Sequence, residues 1–499
     1  MTAEKGIITA KTMAPMKVSK SNSPNEPLVL VIDQGGHASR ASVIDRFGNI
    51  HNTGTAEINA IHKQNGHIEY DPITMLNSVE LAINRAVKEI DIGLIKSAGL
   101  ATQRSNVLCW HRNSGIPLSP IISWQDRRAE KWLAQKQIDM GWLHNKTGLF
   151  MSPHYGASKL HWCLTNIQAV QQAAETGNLA WGPMSSWLTH QLCIERPFLS
   201  DAVNASRTLL WTSESNNWST ELIKFFGLES GILPHCVPNQ FEFGLLSIQG
   251  KYVPLRIVTG DQAAALFANG ALNTHQAYIT VGTGAFILNP GAARPCYLDG
   301  LLHSLVIHNS DSATYALEGT VNGAGSALDF YSQQFSLPNY INDLSQWLDR
   351  SKSPPLFING HAGLGTPHMR ASFTSRFIGG GGNEERMVAI IESIVFLLRW
   401  NFEIMTTLQP DIIEILIGGG LSRHDAFCQK LADLGLPVTR TSQSETTSHG
   451  LAFLLLKELG TGYKNLQLGK NTFSPGSNPG LIKRYQQWRS IMEDALQDD

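Results

Sequence analysis

The sequence contains no Cys-x-x-Cys pair, no block of like charge, and no stretch approaching the ~18 uncharged apolar residues of a membrane span. Its six cysteines (Cys109, Cys163, Cys193, Cys236, Cys296, Cys428) stand far apart, which excludes a zinc ribbon and predicts free thiols in a reducing compartment. The N-terminus lacks an apolar signal core, so the expected location is the cytoplasm. A net charge of −2 leaves no footprint for nucleic acid and no polybasic patch for a membrane, and small-molecule chemistry is the expectation that remains. Also missing are the P-loop signature G-x-x-x-x-G-K-[ST], a full G-x-G-x-x-G with an acidic residue downstream, and the G-x-S-x-G elbow. Their absence argues against P-loop nucleotide binding, a dinucleotide oxidoreductase and a serine hydrolase.

What is present is strand and helix in alternation. Residues 1–26 are polar and aperiodic and read as a flexible leader. From Leu28, the runs LVLVID and ASVID read as paired strands, followed by IHNTGTAEI. Asp71-Pro72 supplies an N-cap and a first-turn proline, and Leu76, Val79, Ile83, Ala86 and Ile90 then share one helical face. SAGLA (97–101) is the next strand, and the alternation predicts an α/β fold.

A second cycle opens at Ala277. AYITVGTGAFIL reads as strand, Gly-x-Gly turn, strand, and LEGTVNGAGSALDFY places glycines before a helix. An amphipathic helix from Met387 to Met405 leads into IIEILIGGGLS, and the glycine run Gly379–Asn383 before it reads as a mobile loop. Strands that end in glycine thus occur in both halves, which predicts two similarly built domains, 27–270 and 271–499, with the ligand in the cleft between them.

Glycine at a strand end lets the backbone approach phosphate and aim N–H groups at its oxygens. The turns at 33–36, 282–284 and 418–420 could together hold one ATP, although each alone could be a plain hairpin turn. Asp33, at the exit of the first strand, suits a hard cation such as Mg²⁺, directly or through water.

The collinear series VIDQGGHASR, TQRS, SWQDRR, SDAVNASRT, TGDQAAALF, VGTGAF, LEGTVNGAGS, GLGTPH and IGGGLS resembles the FGGY carbohydrate kinases, the glycerol kinase branch above all. The resemblance runs from about residue 28 to residue 460. It implies two ribonuclease-H-like domains of the actin, hexokinase and Hsp70 superfamily, the first on the substrate side and the second on the nucleotide side of an active-site cleft. It also implies ATP and Mg²⁺ as cofactors, a small sugar or polyol as substrate, and a homodimer or homotetramer.

Carried over by motif, Asp261 of TGDQ matches the general base, with Gln262 beside it in the substrate set; the plainer alternative is a helix-capping aspartate. Gly35, Gly36 and His37 match the first phosphate loop, and Gly282, Thr283 and Gly284 the second. Gly319, Gly323 and Gly325 match the turn beside the nucleotide, with close helix packing as the alternative for Gly325. Gly419, Gly420 and Ser422 match the adenosine loop. Gln103 and Arg104 match the loop that contacts polyol hydroxyls, and Phe286 a ring of the pocket or simply of the core. Trp124, Asp126 and Arg127, like Glu445 and Gly450, read as structural.

The pattern breaks twice. The family's first loop, D-x-G-T-[TS]-[SG]-x-R, carries hydroxyls where this chain has Gly36, His37 and Ala38. A hydrogen bond to a charged group contributes roughly 1.5–3 kcal/mol, so two lost hydroxyls could slow transfer by about 10²–10⁴. Backbone N–H groups and the His37 imidazole are the available replacements, and a weakly active or silent member that senses nucleotide or sugar is the alternative reading. The second break lies in the substrate loop. Ser105 stands where the glycerol kinases carry Glu, and His154-Tyr155 where they carry tyrosine followed by phenylalanine. Ser105 and His154 are therefore expected to shape a pocket for something other than glycerol, a longer polyol or a ketose, although the Q-M-H loop of the xylulokinases is absent.

Overall fold

The computed structural model describes residues 26–63, 66–292, 300–310, 312–351, 353–370, 372–441, 445–463 and 470–498. The leader, residues 1–25, and Cys296 lie outside them. The other cysteines are free, and all but Cys236 are buried.

The first domain is built on β1 (Leu28–Gln34), β2 (Ala38–Ile44), β3 (Ile50–Glu57), β4 (Ile95–Thr102), β5 (Gln240–Ile248) and β6 (Lys251–Gly260), in the order β5-β6-β4-β1-β2-β3. β1, β4 and β6 run parallel, whereas β1-β2-β3 is an antiparallel meander. β1 is apolar from Leu28 to Ile32, and both its faces are covered. Leu28, Leu30 and Ile32 enter the core of the first domain, and Val29 and Val31 point into a second cluster shared with the other domain.

Helix α1 (Pro72–Ala86) begins where expected: the Asp71 carboxylate accepts from the Thr74 N–H at 2.7 Å. Its buried stripe is Met75, Val79, Ala82, Ile83 and Ala86, so Leu76 sits at the margin and Ile90 lies past the helix end. An inserted layer follows. Its small sheet joins residues 61–62, 68–70, 107–111, 121–122 and 179–183, and is backed by α2 (Gly156–Asn166).

The chain passes from β6 into the short α3 (Asp261–Ala265) and then into a second sheet. Its strands are β7 (Gln276–Val281), β8 (Ala285–Ala292), β9 (Leu302–His308), β10 (Ala313–Val321), β11 (Glu414–Gly419), β12 (Val438–Thr441) and β13 (Lys470–Phe473), ordered β9-β10-β8-β7-β11-β12-β13. Stripped of the edge strands, this repeats the first sheet: an antiparallel meander β7-β8-β10, then β11 and β12 parallel to β7. The repeated glycine-ended strands of the sequence are these repeated sheets.

Among the helices of the second domain are α4 (Gly325–Gln334), α5 (Asn383–Leu408), α6 (Thr446–Glu458) and α7 (Pro479–Asp498). α5 is not the amphipathic helix expected. From Met387 to Leu398 every residue is buried, because the sheet covers one side and α4, the helices 340–350 and 425–433, and α7 pack around the rest. The glycine run before it is the approach to its N-cap, where the Gly382 N–H donates to Glu385 Oε2 at 2.9 Å.

α6 belongs to the second domain by sequence but packs on the first. Leu451, Ala452 and Leu455 meet Val29, Val31, Ala101 and Ile257 in the shared cluster. Gly450 makes this contact feasible: a Cβ there would stand 1.8 Å from the Ala264 carbonyl oxygen of α3.

Candidate active site

Register places the chemistry. Gln34 of β1 pairs with Thr102 of β4, and Thr102 with Gly260 of β6, so these parallel strands end level with one another. Neighbouring strands lie about 4.8 Å apart. Asp33, the Gln103–Ser105 loop and Asp261 therefore emerge side by side at one edge of the first sheet. In the second sheet Val281 pairs with Gly419, so the turn Gly282–Gly284 and the glycines Gly419 and Gly420 likewise emerge together.

Asp33 is half-buried, and burial together with the negative charges of Asp261 and Glu445 pushes its carboxyl up to about 7, against the opposing pull of Arg40. Arg40 in turn bridges the domains to Glu445 at 3.3 Å. Asp261 is also raised, first by burial, with Arg104 pulling it down. The plainer alternative, a capping aspartate, is not what the structure shows. Gly260 is the N-cap of α3, and the Asp261 carboxylate accepts from the adjacent Gln262 N–H at 2.7 Å.

In the first loop, the Gly35 N–H donates to the Ala38 carbonyl at 3.0 Å, and the Tyr70 hydroxyl donates to the Gly36 carbonyl at 3.2 Å. His37 is exposed, so its imidazole stands at the loop surface. Gln103 is buried against this loop, donating to the Gly35 carbonyl at 3.1 Å and to Gln34 Oε1 at 3.4 Å. It ties the Gln103–Ser105 loop to the turn at Gly35.

Arg104 passes over Gly260, where a Cβ would meet its Cγ at 2.6 Å. Its guanidinium donates to Gln262 Oε1 and grips Glu318 of β10 at both oxygens, at 3.1 and 3.2 Å. Arg207, at the end of a short helix capped by the Asp201 carboxylate, brings Nη1 to 3.6 Å from Glu318 Oε2. Burial alone would raise the Glu318 carboxyl, but the arginines outweigh it and hold it at about 2.

Ser105 follows with φ +66°, a strained value for a non-glycine residue, and its buried Oγ has no hydrogen-bond partner. Lys159 of α2, itself buried, donates to the Ser105 carbonyl at 3.3 Å and the His154 carbonyl at 2.7 Å, joining two walls of the pocket. The His154 ring lies 5.4 Å from Trp124, and burial followed by Arg207, Lys159 and Arg104 keeps the imidazole neutral. Asp126 is an organiser of the domain: it accepts from the Ile68 N–H and from Arg128 at 2.8 and 2.7 Å.

At the end of the second sheet, the Gly282 N–H donates to the Gly284 carbonyl at 2.9 Å, while Ser326 and Gly325 donate to Thr283 and Gly282. Gly325 is in close packing here, since a Cβ would stand 2.6 Å from the Gly282 oxygen. Gly419 has φ +92° and leaves no room for a Cβ beside Val281, whereas Gly420 faces open space. The Ser422 hydroxyl donates to the Gly419 carbonyl at 2.7 Å. Phe286 packs against the cluster shared by the two domains.

Lys159, Arg207 and Glu318 went unread in the sequence. The signal for Glu318 was an acid amid the apolar strand ATYALEGTV, since a carboxylate buried in a sheet demands a cation.

Among the described residues, no three His, Cys, Asp or Glu side chains converge on a metal position. The donor set fits a Mg²⁺ that takes one or two carboxylates from the protein and its other ligands from phosphate and water. Nor is any helix of the described residues long and apolar enough to cross a membrane.

Comparison with known proteins gives the family. Residues 28–268 match the N-terminal domain model, and residues 277–458 the C-terminal domain model, of the FGGY family of carbohydrate kinases. The chain is similar to the glycerol kinase of Saccharolobus islandicus strain M.14.25, with 31% identity over 89% of this chain and 90% of the other. It is similar to that of Thermus brockianus, with 31% identity over 94% and 95%. A crystal structure of Plasmodium falciparum glycerol kinase with ADP superposes with a TM-score of 0.82 at 23% identity, covering 94% of this chain and 98% of the other.

Proposed function

Because the chain belongs to the FGGY family of carbohydrate kinases, we propose that the Asp33–Arg104–Asp261 edge of the first sheet transfers the terminal phosphate of ATP to a hydroxyl of a small sugar or polyol. The transferase chemistry is the family's; the assignment of residues is ours. Its main support is the register that sets Asp261, Arg104 and Asp33 level with one another at the end of the first sheet, together with the level glycine turns at the corresponding end of the second.

Asp261 is the general base. Its carboxylate, raised by burial yet held by Arg104, accepts the proton of the attacking hydroxyl. Gln103, Arg104, Ser105, His154, Gln262 and Phe286 form the acceptor pocket, with Arg104 offering the acceptor the N–H groups that Glu318 and Gln262 leave over. The neutral His154 imidazole both donates and accepts one hydrogen bond, which suits a hydroxyl-bearing substrate. The turns at Gly35–His37, Gly282–Gly284 and Gly419–Ser422, with Gly325, hold the nucleotide. Asp33 carries Mg²⁺, which when bound offsets charge on the phosphates. Closure of the domains on the acceptor excludes water from the phosphate. The free thiols support a reducing, cytoplasmic setting.

The test is ADP release with Mg²⁺ over glycerol, erythritol, ribitol and xylulose, with Asp261→Asn alongside. Turnover of at least one acceptor by the wild type, and its loss by about 10³-fold or more in the variant at unchanged melting temperature, is expected. A folded Asp261→Asn enzyme with wild-type kcat would refute the assignment of the base.

A further inference from the structure

Glu318 lies within β10 in the second domain and is fully buried. Its cationic partners both come from the first domain, which makes this a charge cluster that closes across the cleft. Arg104 meets it with parallel contacts, Nη1 to Oε2 at 3.1 Å and Nη2 to Oε1 at 3.2 Å. Arg207 Nη1 stands 3.6 Å from Oε2, donates to Ser304 Oγ at 2.9 Å, and lies with its guanidinium over the Tyr155 ring at 5.2 Å. The exposure of the side chains is 6% for Arg104, 4% for Arg207 and 0% for Glu318, so water screens none of them.

The signs balance: Arg104 and Arg207 are positive, Glu318 and Asp261 negative. An uncharged acceptor enters this set without disturbing it. An acceptor bearing a carboxylate would add uncompensated negative charge beside Asp261 and Asp33 at low dielectric, which is strongly unfavourable. Remove Glu318 and the same pocket holds arginine charge in excess, the arrangement that binds carboxylates.

Resting on the kinase reading above, we propose that Glu318 is a positioning and specificity-determining residue: by occupying the Arg104 fork it fixes the guanidinium so that its remaining N–H groups face the acceptor, and it cancels the arginine charge that would otherwise admit sugar acids. Glu318 touches no substrate and acts through Arg104. The pocket selects uncharged acceptors because the carboxylate that a sugar acid would supply is already part of the protein.

The experiment compares wild type, Glu318→Gln and Glu318→Asp, with glycerol, erythritol, ribitol and xylulose as uncharged acceptors and glycerate and ribonate as charged probes. Wild type should be indifferent to glycerate and ribonate at concentrations where the best polyol saturates. In Glu318→Gln, KM for that polyol should rise at least about tenfold, by more than kcat falls, through loss of the fixed charge-assisted contact. The same variant should gain competitive inhibition by, or turnover of, the sugar acids, and Glu318→Asp should recover most of the polyol KM.

Strong inhibition of the wild type by glycerate or ribonate overturns the proposal, and this arm needs no variant to fold. So does a Glu318→Gln protein of unchanged melting temperature that loses only kcat, or that gains no affinity for the acids. Asp261→Asn keeps the tests apart: activity surviving there sinks the base assignment, whereas an unaltered Glu318→Gln profile beside an inactive Asp261→Asn sinks only the role of Glu318.

Discussion

Gly36 offers a direct measure of what the altered first loop does to the rate. A Cβ built there would stand 3.4 Å from Gln103 Oε1 and 3.8 Å from the Tyr70 hydroxyl, which is ordinary contact. Gly36 is also absent from the residues with positive φ, so threonine enters without backbone strain. Replacing glycine at a compatible position stabilises by about 0.4–1 kcal/mol through the unfolded chain, and the melting temperature of Gly36→Thr should hold or rise. The new hydroxyl would donate to a charged phosphate oxygen, worth about 1.5–3 kcal/mol. At 1.4 kcal/mol per decade, kcat/KM for ATP should rise by about 10–150-fold. If the bond forms only as charge shifts during transfer, the gain appears in kcat; if it forms equally in the bound ground state, it appears in KM. A coupled ADP-release assay at saturating acceptor reads both. A folded Gly36→Thr enzyme whose kcat/KM for ATP is unchanged or lower would refute the reasoning, because the loop would then not be short of donors.

Other consequences follow from the same geometry. Asp33 titrates near 7 in the folded protein and near 3.8 in the free chain, so between those values the native state holds a proton that the unfolded state has released, and stability without metal falls as pH rises. Melting curves from about pH 4 to pH 8 should show that slope flattened in Asp33→Asn; identical slopes would contradict it. Gly260→Ala should force Arg104 aside and raise the acceptor KM by about tenfold or more, with KM for ATP little changed, because the intruding methyl would lie 2.6 Å from Arg104 Cγ. Lys159→Met leaves the Ser105 and His154 carbonyls unpaired at about 1–3 kcal/mol each, so steady-state kinetics should show a weaker acceptor KM along with a lower melting temperature.

Much of the fold was legible because its cause is local. The LVLVID run reads as a strand, Asp71-Pro72 as a helix start, and the repeat of glycine-ended strands as a repeat of similarly built domains. The same features put Asp33 at a strand exit, whereas Asp261 is found through its TGDQ motif. What stayed hidden depends on contacts distant in sequence. Arg104 and Glu318 meet across a separation of 214 residues, and nothing local announces that the fork expected to face substrate is also the partner of an acid in the other domain. Lys159 reads as one more polar residue on a helix until α2 is seen to turn it beneath the pocket. The amphipathic character expected of α5 failed for a related reason, since α7 arrives from the end of the chain to join the helices that cover its outer side.

Helix α6 makes the halves of the molecule unequal as building blocks. A first lobe ending near the junction would leave Val29, Val31 and Ile257 facing water, and a second lobe on its own would carry a bare stripe of Leu451 and Leu455. Severed fragments would thus be adhesive, each completed by the other. The apolar seam between the lobes forbids them a life apart.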